Sequence, residues 1–390
     1  MATKTPTLRE LLNKIAEENN YTNYKIDIVE FFSGGANITS KLYTAVIKGS
    51  NKVDLHIFAK VCVIDENNRE GMPASFFYAE PFCYTTLWKT YRALEEEYGL
   101  QHEDRMMFTK SYGFDLTMGQ EIACLENLTA QGYKSFDRHK SVDWKYASSA
   151  VTNLAKLHTL SFAYHQNNPE EFNSVLSYLK KDWQEAALSV FERCGQAKAL
   201  KYSRPEHRAP LERYLRQRLR NVLVNSFAPA SHPVLIHADY KPSNLMHRVR
   251  EDGSVDIKIV DLQTLQGGSP VTDLLYFIFT GSDEQFRAEY YDKLIDHYYA
   301  ELSAALKRLH LNPDEIYSRQ HFDQELQEKL PFGLALAVFT LPVITVDTDK
   351  APKVNESMEI TDFSVSNTSA LYKERLNGVI NDYVRWGVLK

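Results

Sequence analysis

Residues 237–263, HADYKPSNLMHRVREDGSVDIKIVDLQ, carry an Asp252-Gly253 pair between two strand-forming runs. Asp-Gly is a favoured two-residue hairpin turn, because both central positions call for positive φ. With the turn centred there, Asn244 is expected opposite Asp261, and opposed residues hold their Cβ atoms about 4.5–5.5 Å apart. An amide oxygen and a carboxylate at that spacing suit a small hard cation such as magnesium, which takes oxygen ligands at about 2.0–2.1 Å. Asp239 lies just ahead of the hairpin, in a loop. A plain surface hairpin would use Asp and Asn merely as turn formers. Here, however, Asn244 and Asp261 adjoin apolar residues (Leu245, Met246; Ile259, Val260) at matched distances from the turn.

The hairpin interrupts a helical half of the chain. Apolar residues recur at helical spacing at Ala147, Val151, Leu154 and Leu157, again at Leu211, Leu215, Leu219 and Val222, and again at Tyr291, Leu294, Ile295, Tyr298 and Leu302. Before residue 125 the pattern differs. Period-two alternation predicts strands over Lys25 to Phe31, Leu42 to Ile47 and Leu55 to Val63, with Gly49-Ser50-Asn51 turning between the last two. Further strand-like segments lie at Met106 to Tyr112 and Ile122 to Leu125, and Tyr84, Leu87, Trp88, Tyr91 and Leu94 predict one helix between. The expected architecture is α+β in two lobes, a small antiparallel sheet followed by a mainly helical body.

The sheet lobe offers two features that suit phosphates. Ser33-Gly34-Gly35-Ala36-Asn37 lies between two predicted strands, where Gly34 and Gly35 would let backbone N–H groups approach closely. On the third strand, Leu55, Ile57, Ala59, Val61 and Val63 share one face and His56, Phe58, Lys60 and Cys62 the other. A lysine among apolar neighbours needs an anionic partner. Glu80, one helical turn ahead of Tyr84, is the best candidate, although Pro81 puts it at the start of its helix rather than inside. A solvated lysine whose stem covers apolar surface is the plainer alternative.

Bulk properties exclude several function classes. The chain has 390 residues, 44% hydrophobic and 25% charged, ample for two cores. Its net charge is -6 and no dense basic stretch occurs, so nucleic acid is not an expected partner. Cys62, Cys83, Cys124 and Cys194 are far apart and read as free thiols in a reducing compartment. The N-terminal stretch has a helical rhythm at Leu8, Leu11, Leu12 and Ile15 but no signal-peptide core, so a cytoplasmic location is expected and the Asn-X-Ser/Thr triplets at Asn37 and Asn127 should be idle. The apolar run Leu330 to Val346 is shorter than the roughly 20 residues of a membrane span and contains Pro331, Gly333 and Pro342; it reads as a buried helix.

Together these features point to phosphoryl transfer. His237-Ala238-Asp239 followed by Asn244 has the H-x-D-x-x-x-x-N spacing of a kinase catalytic loop, with Asp261 as the second carboxylate. Asp239 would orient a substrate hydroxyl and accept its proton, Asn244 and Asp261 would hold Mg2+, Lys60 and the glycine loop would hold the phosphates of ATP, and His237 would keep the loop in place. Residues 34–41, GGANITSK, lack the Gly-Lys-Ser/Thr ending of a Walker A loop.

The segments SGGANITSKLYTAVI, IFAKV, AEPFCY, CLENLTAQGYKSFDR, LAKLHTLSFA, HADYKPSNLM, VDLQTLQGGSPVTDLLYFIF and ERLNGVINDYVRWGVL together resemble the ecdysteroid kinase-like family. That family is a branch of the aminoglycoside phosphotransferase and choline kinase group, of protein-kinase-like fold and found largely in insects. The resemblance implies a nucleotide-binding lobe at residues 1–123, a hinge at residues 124–128 where Glu126 and Leu128 meet adenine, and a catalytic and acceptor-binding lobe at residues 129–390. It also implies that Asp273 braces the catalytic region, where residue pattern alone would allow a helix cap. Three departures occur. The family usually has glycine where Ala238 stands, aspartate where Asn127 stands, and a tryptophan-containing loop at Tyr240-Lys241-Pro242.

The implied acceptor is a hydroxyl of an ecdysteroid or another lipophilic or dietary alcohol. Tyr276, Phe277, Phe279, Tyr290, Tyr291, Tyr298 and Tyr299 would line its pocket or fill the core. A cationic acceptor such as choline or an aminoglycoside, and a non-catalytic binding protein, are the alternatives. Asp347 to Thr368 is polar and weakly periodic and is expected to form a mobile loop over the acceptor site.

Overall fold

The computed structural model describes residues 5–32, 40–64, 69, 72–182, 185–228, 231–351 and 369–390. A five-stranded antiparallel sheet forms the first lobe, in the order β1-β2-β3-β5-β4, from β1 (Lys25–Phe31), β2 (Ser40–Gly49), β3 (Lys52–Cys62), β4 (Ser111–Asp115) and β5 (Ile122–Glu126). Alternation along β3 sorts its side chains as the sequence pattern requires. Ile57, Ala59 and Val61 are buried beneath α1 (Thr5–Glu18), which contributes Leu8, Leu12, Ile15 and Ala16 to the same cluster. The opposite face, with Phe58 and Lys60, is left to the cleft between the lobes.

Two expectations shift. The strand expected at Met106 to Tyr112 begins later, as β4, because the Met106 N–H donates to Glu95 Oε1 (2.6 Å) and fixes the segment as a connection from helix to sheet. The helix expected from Tyr84 begins at Ser75, so Glu80 lies inside α2 (Ser75–Phe82) rather than at its start. Pro81 is carried within that helix. Proline supplies no N–H and crowds the preceding turn, and a wide π-helical turn, Cys83–Leu87, follows before α3 (Trp88–Glu97). Insertions of this kind absorb irregular pairing without ending a helix. Tyr84, Leu87, Trp88, Tyr91 and Leu94 then join the core of the second lobe. One helical run therefore carries Glu80 at one end and is anchored in the helical body at the other.

That body is built around α4 (Trp144–Asn167), started by Asp143, whose side chain accepts the Tyr146 N–H at 2.8 Å. Helices α5 (Pro169–Tyr178), α6 (Glu185–Tyr202) and α7 (Pro205–Ser226) follow. Next come two small antiparallel pairs, β6 (Val234–Ile236) with β9 (Gln266–Gly268), and β7 (Leu245–Val249) with β8 (Val255–Ile259). Every residue of α8 (Pro270–Gly281) is buried, and α9 (Glu284–Arg308) packs along α4.

The apolar run near residue 335 is buried, and it divides. Pro342 follows α12 (Pro331–Phe339) closely, and a separate turn, α13 (Leu341–Ile344), takes over; α10 (Pro313–Ile316) and α11 (Arg319–Lys329) precede them and α14 (Ala370–Arg385) closes the fold. Among the described residues no helix is long and apolar enough to cross a membrane. Cys62, Cys83 and Cys124 are buried thiols outside any disulfide.

Candidate active site

The cleft between the lobes is organised by one ammonium group. Lys60 on β3 stands 3.1 and 3.0 Å from the two carboxylate oxygens of Glu80 and 2.6 Å from Asp261 Oδ1. These three residues come from the sheet, the bridging helix and the segment after β8. Burial works to lower the Lys60 pKa, but the charges and hydrogen bonds of Asp261 and Glu80 outweigh it and hold the ammonium above its ordinary range. Burial likewise works to raise Asp261, and the charges of Lys60 and Lys241 overcome it, so its carboxyl is held below the usual carboxylate range. A cleft opens beside this cluster, lined by Lys60, Glu80, Phe77, Leu116, Glu121 and Gln263 among others.

The loop bearing Asp239 is braced from beneath. Asp273, in the first turn of α8, accepts the backbone N–H of His237 at 2.7 Å and that of Ala238 at 2.8 Å. It does not cap the helix; Ser269 does, accepting the Val271 N–H at 3.1 Å. His158 Nε2 reaches Asp273 at 3.3 Å while its Nδ1 meets the Tyr298 hydroxyl at 2.7 Å. His237 holds the loop on its other side, with Nε2 3.0 Å from the Val260 carbonyl and Nδ1 accepting the Asp239 N–H at 3.2 Å. Two residues here adopt the left-handed region, Ala238 at φ +63° and Asp261 at φ +66°. Such backbone persists only where its surroundings over-determine it, commonly at functional sites.

The hairpin register corrects the sequence reading. The turn is a three-residue loop, not two: Gly253 N–H donates to Arg250 O at 2.9 Å, Gly253 follows with φ +84°, and Val249 pairs with Val255. An extra left-handed glycine after a tight turn is the usual form of that longer loop. The register therefore moves by one, Leu245 pairs with Ile259, and Val260, not Asp261, lies across from Asn244, donating to its carbonyl at 3.0 Å. Asn244 closes a short 3-10 turn, Pro242–Asn244, rather than lying in the strand. Its amide nitrogen donates to Asp239 O at 3.0 Å and Asp239 Oδ2 at 2.9 Å. Asn244 is thus joined directly to Asp239, and Asp261 to Lys60.

Residues 34–311, well over half of the chain, match the ecdysteroid kinase-like family. The chain belongs to that family. No curated protein matches it. Among solved structures, the GDP and kanamycin complex of APH(2″)-IIia is similar with a TM-score of 0.40 at 9% identity, over 84% of this chain and 98% of that one. An aminoglycoside phosphotransferase from Streptomyces rimosus in complex with ADP and streptomycin gives 0.31 at 12% identity, over 82% and 98%. The GDP complex of wild-type aminoglycoside 2′-phosphotransferase-IIIa gives 0.36 at 10%, over 83% and 97%. Likeness at this level does not extend to substrates.

The positions where this ecdysteroid kinase-like chain departs from its family's pattern now have surroundings. Glycine is usual where Ala238 stands, and φ +63° is the reason: that backbone costs an alanine and not a glycine. Asn127 Oδ1 accepts the Ala130 N–H at 3.3 Å and starts the short turn after β5. Lys241 forms an ion pair with Asp239 Oδ2 and acts electrostatically on Asp261. Only its place two residues beyond Asp239 hinted at this in the sequence.

Glu126 ends β5 with its carboxylate 2.5 Å from Lys258 Nζ and 2.7 Å from Gln131 Nε2, and Leu128, buried, follows. Burial works to raise the Glu126 pKa, but the hydrogen bonds from Gln131 and Lys258 prevail and lower it. Gly34 and Gly35 lie outside the described residues, as do residues 352–368 of the expected acceptor loop.

Of the aromatic residues considered for the acceptor pocket, Phe277, Phe279 and Tyr298 are wholly in the core. Tyr276 differs: its hydroxyl lies within reach of the Asp239 carboxylate, and burial, joined by that charge, holds its pKa up. Lys181 is another residue that spacing did not disclose. Its ammonium donates to Gln263 O at 2.9 Å, and burial pulls its pKa down to about 7. The adjoining chain straps α2, with Ser75 Oγ donating to Lys180 O at 2.7 Å and the Tyr78 hydroxyl to Tyr178 O at 2.8 Å.

Proposed function

We propose that this chain is an ATP- and magnesium-dependent kinase that transfers the γ-phosphoryl group to a hydroxyl of an ecdysteroid or a related lipophilic or dietary alcohol. The observation that carries the reading is the Lys60 ammonium set between Glu80 and Asp261, with Asp239 and Asn244 joined beside it. A strand lysine, a helix glutamate and a carboxylate after the catalytic loop are the parts that phosphoryl transfer on this architecture requires. Family membership supports the same reaction class.

Among the described residues no three His, Cys, Asp or Glu side chains cluster to hold a metal. Magnesium fits such a place, because it is commonly bound by one or two protein groups together with nucleotide phosphates. Asn244 commits its amide nitrogen to Asp239, which turns its oxygen away from that contact, and Asp261 is kept ionised by Lys60. Those two residues would hold the ion, which when bound would spread the charge of the transferred group. Lys60, together with Gly34 and Gly35, would contact the phosphates, and Glu126 and Leu128 of the hinge, residues 124–128, would meet adenine.

Asp239 would orient the acceptor hydroxyl and take its proton. Its carboxylate is fixed by the Asn244 amide and faces Tyr276, so a hydroxyl reaching it would meet an aligned acceptor. His237 and Asp273 would act only by holding the loop.

The test is ADP formation from Mg-ATP against a panel of sterols and alcohols, with Asp239→Asn beside the wild type. General-base catalysis is worth about 10²–10⁴ in rate, and a loss of that size is expected. A wild type no faster than Asp239→Asn with every alcohol would make the chain a binding protein.

A further inference from the structure

Glu80 and Asp261 meet one ammonium although they stand on different elements, α2 and the start of the turn Leu262–Thr264. The two elements pack together, but the hydrogen bond between them, from the Leu262 N–H to Glu80 Oε1, is long at 3.4 Å. Residues 178–181, at and beyond the end of α5, bond to both. On one side the Ser75 hydroxyl donates to Lys180 O at 2.7 Å and the Tyr78 hydroxyl to Tyr178 O at 2.8 Å, with the two tyrosine rings 4.4 Å apart. On the other, the Lys181 ammonium donates to Gln263 O at 2.9 Å, two residues beyond Asp261.

The strap has a firm root. Phe172 and Leu179 are wholly buried in the core of the helical lobe, and Leu176 of α5 fills the space over Gly267 of β9, where a Cβ would lie 2.7 Å from Leu176 Cδ2. The far end of α2 is rooted in the same lobe, through the wide turn into α3 and the buried Trp88, Tyr91 and Leu94. Toward the sheet lobe the run meets Lys60 at Glu80, the Arg69 guanidinium 3.8 Å over the Phe77 ring, and the Phe114 ring 6.1 Å from that of Tyr84.

We infer that residues 178–181 are a positioning element for phosphoryl transfer: they tie α2 and the Asp261 segment to one root and so hold Glu80 and Asp261 as a preformed pair, which Lys60 enters from the sheet. The inference rests on the kinase reading for what the cluster does, and adds where its alignment comes from. Two carboxylates held together repel, so a pair of this kind needs an external brace until a cation arrives. The strap supplies it from outside the cleft, through backbone carbonyls that no nucleotide or acceptor touches.

Tyr78→Phe and Lys181→Met each delete one strap bond without adding volume, and Lys181→Arg keeps a donor. In the full-length chain, hydrogen exchange read by mass spectrometry should be at least ten-fold faster in the double variant over α2 and over Leu262–Thr264, with β1, β2 and β3 unchanged. Misplacement of a reacting group by about 1 Å can cost about 10²-fold in rate. ADP formation from Mg-ATP with ecdysone or benzyl alcohol should therefore fall at least ten-fold in kcat, while KM for ATP moves less than three-fold because Lys60 is retained. Tyr78→Phe combined with Lys181→Arg should recover most of the loss. A purely structural role would lower the thermal midpoint and leave kcat of the folded enzyme in place.

Exchange that stays slow at α2 and the turn, or a double variant with wild-type kcat, would overturn the inference while leaving a kinase. Faster exchange at both elements in a chain whose wild type forms no ADP with either alcohol would keep the strap as the brace of the carboxylate pair and sink the kinase reading.

Discussion

Lys60→Met keeps the aliphatic stem and removes the ammonium, leaving Glu80 and Asp261 facing each other with side chains 8% and 14% exposed. Removing one member of a buried ionic set costs about 3–5 kcal/mol, most of it the penalty of the charges left behind. With an unfolding entropy near 2 cal/mol/K per residue, that corresponds to roughly 4–6 °C in Tm for a chain of this length. The loss should depend on pH in a defined way. The depressed Asp261 pKa contributes stability above the ordinary carboxylate pKa of about 3.9, lost as pH falls through the folded value. The raised Lys60 pKa contributes below about 10.4, lost as pH rises through its folded value. The gap between wild type and variant should therefore be widest between about pH 5 and 9 and narrow at both ends. Urea unfolding across that range measures it, and a cycle with Glu80→Gln should show a coupling of about 0.5–3 kcal/mol. A gap below about 1 kcal/mol at neutral pH, or one that persists unchanged under acid, would refute the ion cluster as a structural unit.

The catalytic loop and its surroundings allow three more tests. Ala238→Gly should raise stability by about 0.5–1 kcal/mol in denaturant titration, the relief of left-handed alanine backbone less the extra entropy of glycine. Asp273→Ala strands two buried N–H groups and should cost about 2–6 kcal/mol, with loss of turnover before loss of nucleotide binding. The burial penalty on the Lys181 ammonium is fully present below its folded pKa of about 7 and fades as pH rises toward the unfolded value. Lys181→Met should accordingly gain most on the wild type near pH 6 and least near pH 10, by thermal unfolding.

Much of the fold was legible because period-two alternation is a local property. Lys25–Phe31 is β1 as its pattern requires, and the split of β3 into an inner face and a cleft face follows from one residue's offset. The two-lobed α+β arrangement follows from where alternation gives way to helical rhythm. The Asn244 register was not legible, because Asp-Gly serves a two-residue turn and the end of a three-residue one equally well, and one added residue moves every pair. Pro81 misled in a similar way, since it reads as a helix start and the wide turn that accommodates it leaves no local mark. Tyr276 and Lys241 lie beyond sequence patterns for another reason. All of α8 is buried, so periodicity cannot show which face meets Asp239, and the ion pair of Lys241 with Asp239 depends on how an irregular loop folds back, which no periodicity records.

Transfer of radiolabel from γ-labelled ATP to an alcohol, with the product identified by mass spectrometry, tests the central claim most directly. The account predicts one added phosphoryl group on the alcohol, abolished by Asp239→Asn and by Lys60→Met alike. Label retained in ATP with every alcohol, or a product formed equally well by both variants, would contradict it.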